Sequence, residues 1–379
     1  MADVPAGDPA PVVITGIGVT SAFGHGTEPL LDGVLSGQSA FGLVTRFGAD
    51  SLRVRVAAEL PGSPALADEL CAVLTQACAS AGLREDDLAD STLLLALHSD
   101  AVAARDPDAA VVTGDIAGQV AARCGLPVPP RVYTTACVAG TTAVADAAAM
   151  ITAGRAGRVI VAAGFLVDAD SMGLFDAGRA LAVDGQVRPF SAGRRGLLLG
   201  DGVAAVVLES AAMAGARGAV PLGRLAGWGR AGDAYHVVQP HPAGTGLARA
   251  IGAALRRARL DAAEVGYVNA SGSGTSYSDS SEAAALHLAL GPRAREVPVS
   301  STKSVHGHAL EASGLLELVV TVLVLQAGQL PVNAGFLAPD ADCDLDLILG
   351  AARPAQPRYA LSLNAAFGGA NTALLVAAA

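Results

Sequence analysis

Short apolar runs alternate with longer alanine-rich or amphipathic segments along most of the chain. The runs rich in Val, Ile and Leu end at Gly or polar residues and predict buried strands. These strands are predicted at residues 11–20, 91–98, 131–135, 158–165, 203–209, 265–269, 297–301, 359–364 and 372–378. Helices are predicted at 66–81, within 108–124, and at 137–153, 245–259, 281–290 and 310–326. Because strands and helices alternate, the pattern predicts an α/β fold built in layers.

Three stretches show little periodicity and are interpreted as loops, at 30–60, 168–200 and 270–281. The second half of the chain repeats the strand and helix order of the first, which indicates an internal duplication. Alanine and glycine interrupt the pattern near 210–220. We therefore predict two halves, 1–215 and 216–379.

Composition narrows the class of protein. Hydrophobic residues make up 52% of the 379, and charged residues only 16%, which excludes a disordered chain. The net charge of −10 disfavours nucleic acid and anionic membranes as partners. Asp3 stands where a signal peptide would need a basic residue, and the apolar stretch 315–326 contains Glu317 and is too short to span a bilayer. We expect a cytoplasmic enzyme that buries surface against a partner chain.

The five cysteines lack the spacing of a metal site or a disulfide framework, so we expect no metal and no cofactor. Cys137 differs from the others because it follows a predicted strand and begins a predicted helix. The backbone N–H groups and the dipole at a helix N-terminus stabilise an anion, which predicts a lowered thiol pKa and a nucleophile. The alternative is a buried structural cysteine.

Two further segments contain candidate groups. His308 lies in a loop between a strand and a helix, five residues after Lys303, the only lysine among 25 basic residues. Lysine offers a compact ammonium that arginine does not replace, although one isolated lysine is also compatible with chance and His308 with a structural role. Phe367, Gly368 and Gly369 lie between the last two strands. Their backbone N–H groups are suited to an oxyanion, and a tight hairpin is the alternative.

Taken together, these segments resemble the β-ketoacyl synthase family, the thiolase-fold condensing enzymes of fatty acid and polyketide assembly. The resemblance rests on VVITGIGVTSAFG at the N-terminus, TTACVAG around Cys137, RPFSAGRRGLLLGDGVAAVVLE, VNASGSGTSYSDSSEA, STKSVHGHALEASG and LNAAFGGANTALL. It covers nearly the whole chain. The resemblance implies two similar α/β halves in an α-β-α-β-α arrangement of layers.

The resemblance also implies roles for individual residues. Cys137 matches the thiol that accepts the acyl group, and Lys303 and His308 match the Lys and second His of the family's STKSxxGH motif. Phe367, followed by Gly368, matches the gating Phe, whose N–H joins that of Cys137 in an oxyanion hole. Polar residues near the substrate are matched by Thr275, Asp279 and Glu282, and Glu282 is expected to pair with Lys303.

This sequence departs from the family at Ser271, where it has VNASGSGT in place of the usual VNAHGTGT. The first catalytic His is therefore absent, and Ser271 offers only a hydroxyl in its place. His306 is an additional His near His308 that would have to point into the site to compensate. Glu311 replaces a small residue, and Ala365 and Ala366 alter the pocket wall.

Three functions remain open. The first is decarboxylative condensation by Cys137, Ser271 and His308 with an acyl chain received from an acyl carrier protein or CoA. The second is non-decarboxylative acyl transfer to an alcohol, amine or thiol, with His308 as general base. The third is a non-catalytic partner of a ketosynthase, similar to a chain-length factor. The resemblance implies a homodimer or a heterodimer with another ketosynthase-like chain.

Overall fold

A computed structural model describes residues 10–97 and 113–379. Its strands are β1 (Val12–Ser21), β2 (Gly24–His25), β3 (Gly42–Leu43), β4 (Val56–Ala57), β5 (Thr92–Leu97), β6 (Arg131–Tyr133), β7 (Arg158–Phe165), β8 (Gly202–Ser210), β9 (Gly223–Gly232), β10 (Val265–Asn269), β11 (Pro298–Ser300), β12 (Gln329–Leu330), β13 (Asp346–Leu347), β14 (Arg353–Pro354), β15 (Tyr359–Ala365) and β16 (Ala370–Ala377). Its helices are α1 (Thr27–Ser36), α2 (Leu66–Ser80), α3 (Glu85–Ala89), α4 (Thr113–Arg123), α5 (Ala139–Thr152), α6 (Ala169–Ala177), α7 (Ala211–Ala216), α8 (Thr245–Ala258), α9 (Ser276–Leu290), α10 (Lys303–His306) and α11 (Ser313–Ala327).

The nine predicted strands and six predicted helices correspond to elements of the structure. The helix predicted within 108–124 begins outside the described residues, and its described part is α4. Among the described elements of nine or more residues, three were missed, because α1 and α6 lie mostly or wholly in segments interpreted as loops and β9 was not predicted at all. Helix α9 also begins five residues earlier than expected, inside the predicted glycine- and serine-rich loop.

One mixed sheet runs through the molecule in the order β13-β11-β10-β15-β16-β9-β1-β8-β7-β5-β6. On each side of the centre the same pattern occurs. Strands β1, β8 and β7 are antiparallel neighbours, followed by the parallel strands β5 and β6. Strands β9, β16 and β15, followed by the parallel strands β10 and β11, repeat it. The predicted duplication is visible in this topology, and the boundary at residue 215 remains a prediction.

Among the residues that the structure describes, the hydrophobic core has three parts, and these define five layers. Alternate residues of β5 show the arrangement, because Leu93 and Leu95 pack against α2 and α4, whereas Leu94 and Ala96 face the centre with α5 and α11. A third cluster joins α8 and α9 to the outer face of β10, β15 and β16. The order of layers is therefore α-β-α-β-α, as expected, with the apolar helices α5 and α11 between the two halves of the sheet.

Glycines in β1 and β9 allow helices to approach these strands closely. A Cβ atom on Gly227 or Gly229 of β9 would lie 2.1 or 1.8 Å from a carbonyl oxygen of α8. In the same way, a Cβ atom on Gly16 or Gly18 of β1 would lie 2.1 or 2.0 Å from a carbonyl oxygen of α2. Glycine is uncommon in strands, so this packing requirement explains why the pattern of β9 did not predict a strand.

One segment of the described chain is apolar and long enough to be considered as a membrane span. It covers 310–327, which is longer than the stretch considered from sequence, and most of it is buried inside the protein. Within it, α11 buries Glu317 completely. A core helix passes the same test, and its position in the central layer accounts for its composition.

Candidate active site

Two turns at the start of the central helices bring the main candidate residues together. Cys137 lies in a 3₁₀ turn, Ala136–Val138, between β6 and α5. His308 precedes a second 3₁₀ turn, Leu310–Ala312, between β11 and α11, and the two turns pack against each other. Ala136 and Leu310 have φ values of 49° and 40°, a strained conformation for residues other than glycine. The duplicated fold thus brings Cys137 and His308, 171 positions apart, to the walls of one cavity.

Burial dominates the electrostatics of Cys137, which is only 9% exposed. Burial, followed by the carboxylate of Glu311, raises the pKa of the Cys137 thiol to about 12, while the ammonium of Lys303 opposes this rise. The expectation of a lowered pKa was therefore wrong for the protein without substrate. The helix N-terminus does not offset the loss of solvation, because low-dielectric surroundings disfavour the charged thiolate.

The backbone and the ring of His308 are both held in place. Its N–H donates to the carbonyl of Leu198 at 2.8 Å, and its carbonyl accepts from Gly200 at 3.1 Å. The ring nitrogen Nδ1 accepts the N–H of Leu310 at 3.0 Å and lies 2.9 Å from the hydroxyl of Ser313. Since the Ser313 hydroxyl accepts the N–H of Ala309, its hydrogen is available for Nδ1.

These contacts determine the form of the imidazole. A backbone N–H can only donate, so Nδ1 is an acceptor and the ring hydrogen is on Nε2. Burial and then the ammonium of Lys303 hold the pKa of His308 well below its usual range, which keeps the ring neutral. His308 therefore lines the cavity as a neutral hydrogen-bond donor.

Ser271 lines the same cavity and is held by four groups. Its N–H donates to Glu282 at 2.7 Å, and its carbonyl accepts from Lys303 at 2.8 Å and from the hydroxyl of Ser301 at 3.4 Å. Its Oγ accepts the N–H of Ala365 at 3.3 Å, which leaves the hydroxyl hydrogen available to a ligand. The hydroxyl of Ser271 is therefore a second donor on the cavity wall.

Lys303 is fully buried and forms an ion pair with Glu317. The expected pairing with Glu282 is wrong, because the two carboxylate oxygens of Glu282 accept the N–H groups of Ser271 and Gly272, each at 2.7 Å. Sequence reasoning missed the role of Glu317. The signal was present, since Glu317 is the only charged residue in the apolar helix α11.

The remaining acidic candidates shape the loop that carries Ser271. Asp279 is fully buried and accepts the N–H of Phe190 at 2.8 Å and that of Gly274 at 3.1 Å. Burial raises the pKa of Asp279 to about 6 and that of Glu282 to about 7. Thr275 precedes α9 and lines an outer cleft. Of these three residues, only Glu282 borders the inner cavity.

His306 does not border that cavity. It is fully buried, and its Nδ1 donates to the carbonyl of Gly307 at 2.8 Å while Nε2 lies 2.9 Å from the hydroxyl of Thr302. Burial lowers the pKa of His306 to about 3, with a smaller effect from Lys303. His306 therefore does not present an imidazole to this cavity, and a substrate contact is not supported.

Phe367 lies where a small inner cavity meets a larger outer cleft. The inner cavity, beside Cys137, has a volume of about 30 Å³, and the outer cleft about 650 Å³. Phe367 is 39% exposed as a residue, and its ring stacks on that of Phe175, with 6.1 Å between centroids. Both rings line both spaces, which is the position a gate would need. Gly368, with φ of 87°, allows the turn that carries Phe367.

Across residues 10–97 and 113–379, no group of three or more His, Cys, Asp or Glu side chains is arranged to hold a metal ion. The site therefore consists of a buried thiol, two neutral donors and a buried ion pair behind them. Such a set is suited to acyl-thioester chemistry, in which negative charge develops on carbonyl oxygens.

Known proteins that are similar to this chain along most of its length share one family. The family models for the N-terminal and C-terminal domains of beta-ketoacyl synthases match residues 69–214 and 222–337. The tetracenomycin polyketide synthase ketoacyl synthase alpha subunit of Streptomyces glaucescens is 33% identical over 97% of this chain and 96% of its own length.

Two solved structures are similar over 98% of this chain and all of theirs. One is a type II polyketide ketosynthase bound to the hexaketide, in complex with its acyl-carrier protein, with a TM-score of 0.90 and 26% identity. The other is the ishigamide ketosynthase/chain length factor, with a TM-score of 0.87 and 29% identity. The chain belongs to the β-ketoacyl synthase family, whose members are acyl-transferring condensing enzymes of fatty acid and polyketide synthesis, and it has their thiolase fold.

Proposed function

We propose that this protein is a condensing enzyme that becomes acylated on Cys137 and then catalyses decarboxylative condensation with a malonyl thioester. The sulfur of Cys137 attacks the incoming acyl thioester, and the carrier or CoA thiol leaves with the proton. The N–H groups of Cys137 and Phe367 are the proposed oxyanion hole. The acyl donor is proposed to be an acyl carrier protein, with CoA as the alternative.

In the second half-reaction the malonyl carboxylate leaves as CO2, and its electron pair forms an enolate. The Nε2–H of His308 and the hydroxyl of Ser271 donate to the enolate oxygen. The enolate carbon then attacks the acyl-Cys137 carbonyl, and the thiolate of Cys137 leaves as the new carbon–carbon bond forms. No cofactor takes part in this sequence.

The observation that carries the proposal is the hydrogen bonding of His308. A general base would need an unprotonated Nε2, but Nδ1 accepts the N–H of Leu310, which keeps the hydrogen on Nε2. Decarboxylative condensation uses His308 as a donor and needs no such base. Non-decarboxylative acyl transfer, which needs a proton acceptor for the attacking alcohol or amine, is therefore disfavoured.

The outer cleft offers a route for the thioester arm. It extends from Phe367 to the surface and is bordered by the apolar side chains of Leu174 and Tyr277 and by Arg179 and Arg195. These basic groups suit an acidic carrier protein. Because one similar structure is of a ketosynthase/chain length factor, we propose that the chain works as a dimer, with a second copy or with a related ketosynthase-like subunit.

The test is the intact mass of the protein after incubation with acyl-carrier protein, with Cys137→Ala as the inactive variant. Cys71→Ala is the matched control, because Cys71 is a free thiol on α2, in the outer layer. We expect an acyl adduct on the wild type and on Cys71→Ala, and none on Cys137→Ala. Malonyl-carrier protein is then added, and CO2 and the elongated product are measured.

The outcomes separate the three functions. Release of CO2 with a condensed product supports the proposal. An adduct that passes only to amines or alcohols would show non-decarboxylative transfer instead. The absence of any adduct, both alone and beside a co-expressed ketosynthase, would contradict the proposal in favour of a non-catalytic subunit.

A further inference from the structure

Ser313 is a buried serine whose hydroxyl contacts the ring of His308. It is the first residue of α11, is fully buried, and does not border the inner cavity. Its Oγ lies 2.9 Å from Nδ1 of His308, a residue that does border the cavity. Any effect of the Ser313 hydroxyl on a substrate must therefore pass through the imidazole.

The direction of this hydrogen bond follows from the neighbouring contacts. The Oγ of Ser313 accepts the N–H of Ala309 at 2.9 Å, and Nδ1 of His308 also accepts the N–H of Leu310 at 3.0 Å. A backbone N–H can only donate, so Nδ1 carries no hydrogen and the Ser313 hydroxyl donates to it. The contacts form one chain, in which Ala309 donates to Ser313 and Ser313 donates to His308.

This arrangement is the opposite of one that creates a general base. Behind a histidine base stands an acceptor, commonly a carboxylate, which takes the Nδ1 hydrogen and stabilises the imidazolium. In this protein both groups at Nδ1 of His308 are donors, which draw electron density from the ring and do not stabilise its protonated form. Because hydrogen bonds in a buried chain polarise one another, the Nε2–H becomes a stronger donor.

The two donors also fix the orientation of the ring. The N–H of Leu310 belongs to the turn Leu310–Ala312, whereas Ser313 begins α11. Rotation of the imidazole would take Nδ1 away from both donors and leave buried polar groups unpaired, which is unfavourable. A donor with a fixed direction is what stabilisation of a developing negative charge requires.

We propose that Ser313 is a positioning residue for the condensation, whose hydroxyl orients the imidazole of His308 and strengthens its Nε2–H as a donor to the enolate oxygen. The inference rests on the proposed function in one respect, that His308 donates to the enolate in the second half-reaction. Loss of the hydroxyl therefore slows the release of CO2 and leaves the acylation of Cys137 unchanged.

The test compares the full-length wild type with three variants. Ser313→Ala removes the hydroxyl, and Ser313→Thr retains it. Ser304→Ala is the matched control, because Ser304 is a buried serine in the same segment of the chain. Its hydroxyl donates to the carbonyl of Ser301 at 2.8 Å and accepts the N–H of Ala334 at 3.0 Å, so neither partner is His308.

The first measurement is the ¹⁵N NMR spectrum of the histidine rings, with His308→Asn to assign the signals of His308. An unprotonated ring nitrogen that accepts a hydrogen bond resonates upfield of one that does not. Ser313→Ala should therefore move the Nδ1 signal of His308 downfield, and Ser313→Thr should restore it. The signals of His306 should not move, because its Nδ1 donates to the carbonyl of Gly307 at 2.8 Å. An unmoved Nδ1 signal of His308 in Ser313→Ala would overturn the inference.

The second measurement is CO2 release from malonyl-carrier protein on enzyme already acylated at Cys137. We expect Ser313→Ala to lower kcat by about 2–13-fold, the range that one neutral hydrogen bond is worth, with KM and the acylation rate unchanged. Ser313→Thr and Ser304→Ala should keep the wild-type kcat. An equal fall in Ser304→Ala and Ser313→Ala would indicate a merely structural effect, and that result would also overturn the inference.

The two measurements separate this inference from the proposed function, because the spectrum requires neither carrier protein nor malonyl substrate. A wild type that releases no CO2, together with a moved Nδ1 signal in Ser313→Ala, would refute the proposed function while supporting Ser313 as the residue that positions His308. A wild type that condenses normally, with an unmoved signal in Ser313→Ala, would refute the role of Ser313 alone.

Discussion

Replacing Ser271 by alanine tests whether its hydroxyl donates to the enolate oxygen, as proposed. The Oγ of Ser271 accepts the N–H of Ala365 at 3.3 Å, so its hydrogen is available to the enolate oxygen. Loss of a preorganised oxyanion donor typically costs about 10²–10³ in kcat, whereas a neutral hydrogen bond of ordinary strength is worth only about 2–13-fold. A hydroxyl on a loop that is itself held by Glu282 and Lys303 lies between these limits. We expect Ser271→Ala to lower CO2 release by about 10–100-fold.

The assay follows CO2 from malonyl-carrier protein on enzyme already acylated at Cys137. Acylation itself should change little, because Ser271 acts in the second half-reaction. Ser273→Ala is the matched control. Ser273 lines the same cavity, but its hydroxyl forms a hydrogen bond with the hydroxyl of Thr275 at 3.1 Å. A change of less than two-fold in Ser271→Ala would refute the assignment of Ser271 as a donor. An increase in CO2 release in Ser271→His would show that the site still accommodates the family's usual imidazole.

Two further predictions concern buried charge. Lys303→Met leaves Glu317 without its counter-ion, at a cost of about 3–5 kcal/mol, which lowers the melting temperature of a 379-residue chain by about 4–6 °C. Adding Glu317→Gln should recover most of this loss in calorimetry, and an unchanged melting temperature in Lys303→Met would contradict the stabilising role of the pair. The pKa of Glu282 is raised by burial to about 7, so the folded state keeps a proton that the unfolded state has lost between about pH 4.5 and pH 7. The contribution of Glu282 to stability therefore falls as the pH rises through this range. In urea unfolding, the free energy of unfolding of the wild type should exceed that of Glu282→Gln by more at pH 5 than at pH 8. An equal difference at both pH values would contradict the raised pKa.

Local patterns in the sequence identified most of the fold, because strands and helices bury alternate or periodic faces that are visible in a short window. The elements that the sequence pattern did not predict were missed for specific reasons. Strand β9 carries glycine where α8 approaches it, so the residues that permit the packing are those that weaken a strand pattern. Helices α1 and α6 are ten- and nine-residue segments with mixed faces, in or beside long irregular regions.

The sequence alone indicated the family-like motifs, and with them Cys137, His308, Lys303 and Phe367 as members of one site. It also predicted that Ser271 stands where the family has His. These conclusions depend on residue identity at fixed spacing, which a single chain displays directly.

Only the tertiary structure decided how these groups behave. The partner of Lys303 is Glu317 and not Glu282, His308 is held as an Nε2–H donor, and the thiol of Cys137 has a raised pKa. Each property depends on desolvation or on contacts between elements that are distant along the chain. A helix N-terminus can be identified from sequence, but the burial and the Glu311 carboxylate that outweigh its dipole exist only after the two halves of the molecule have packed together.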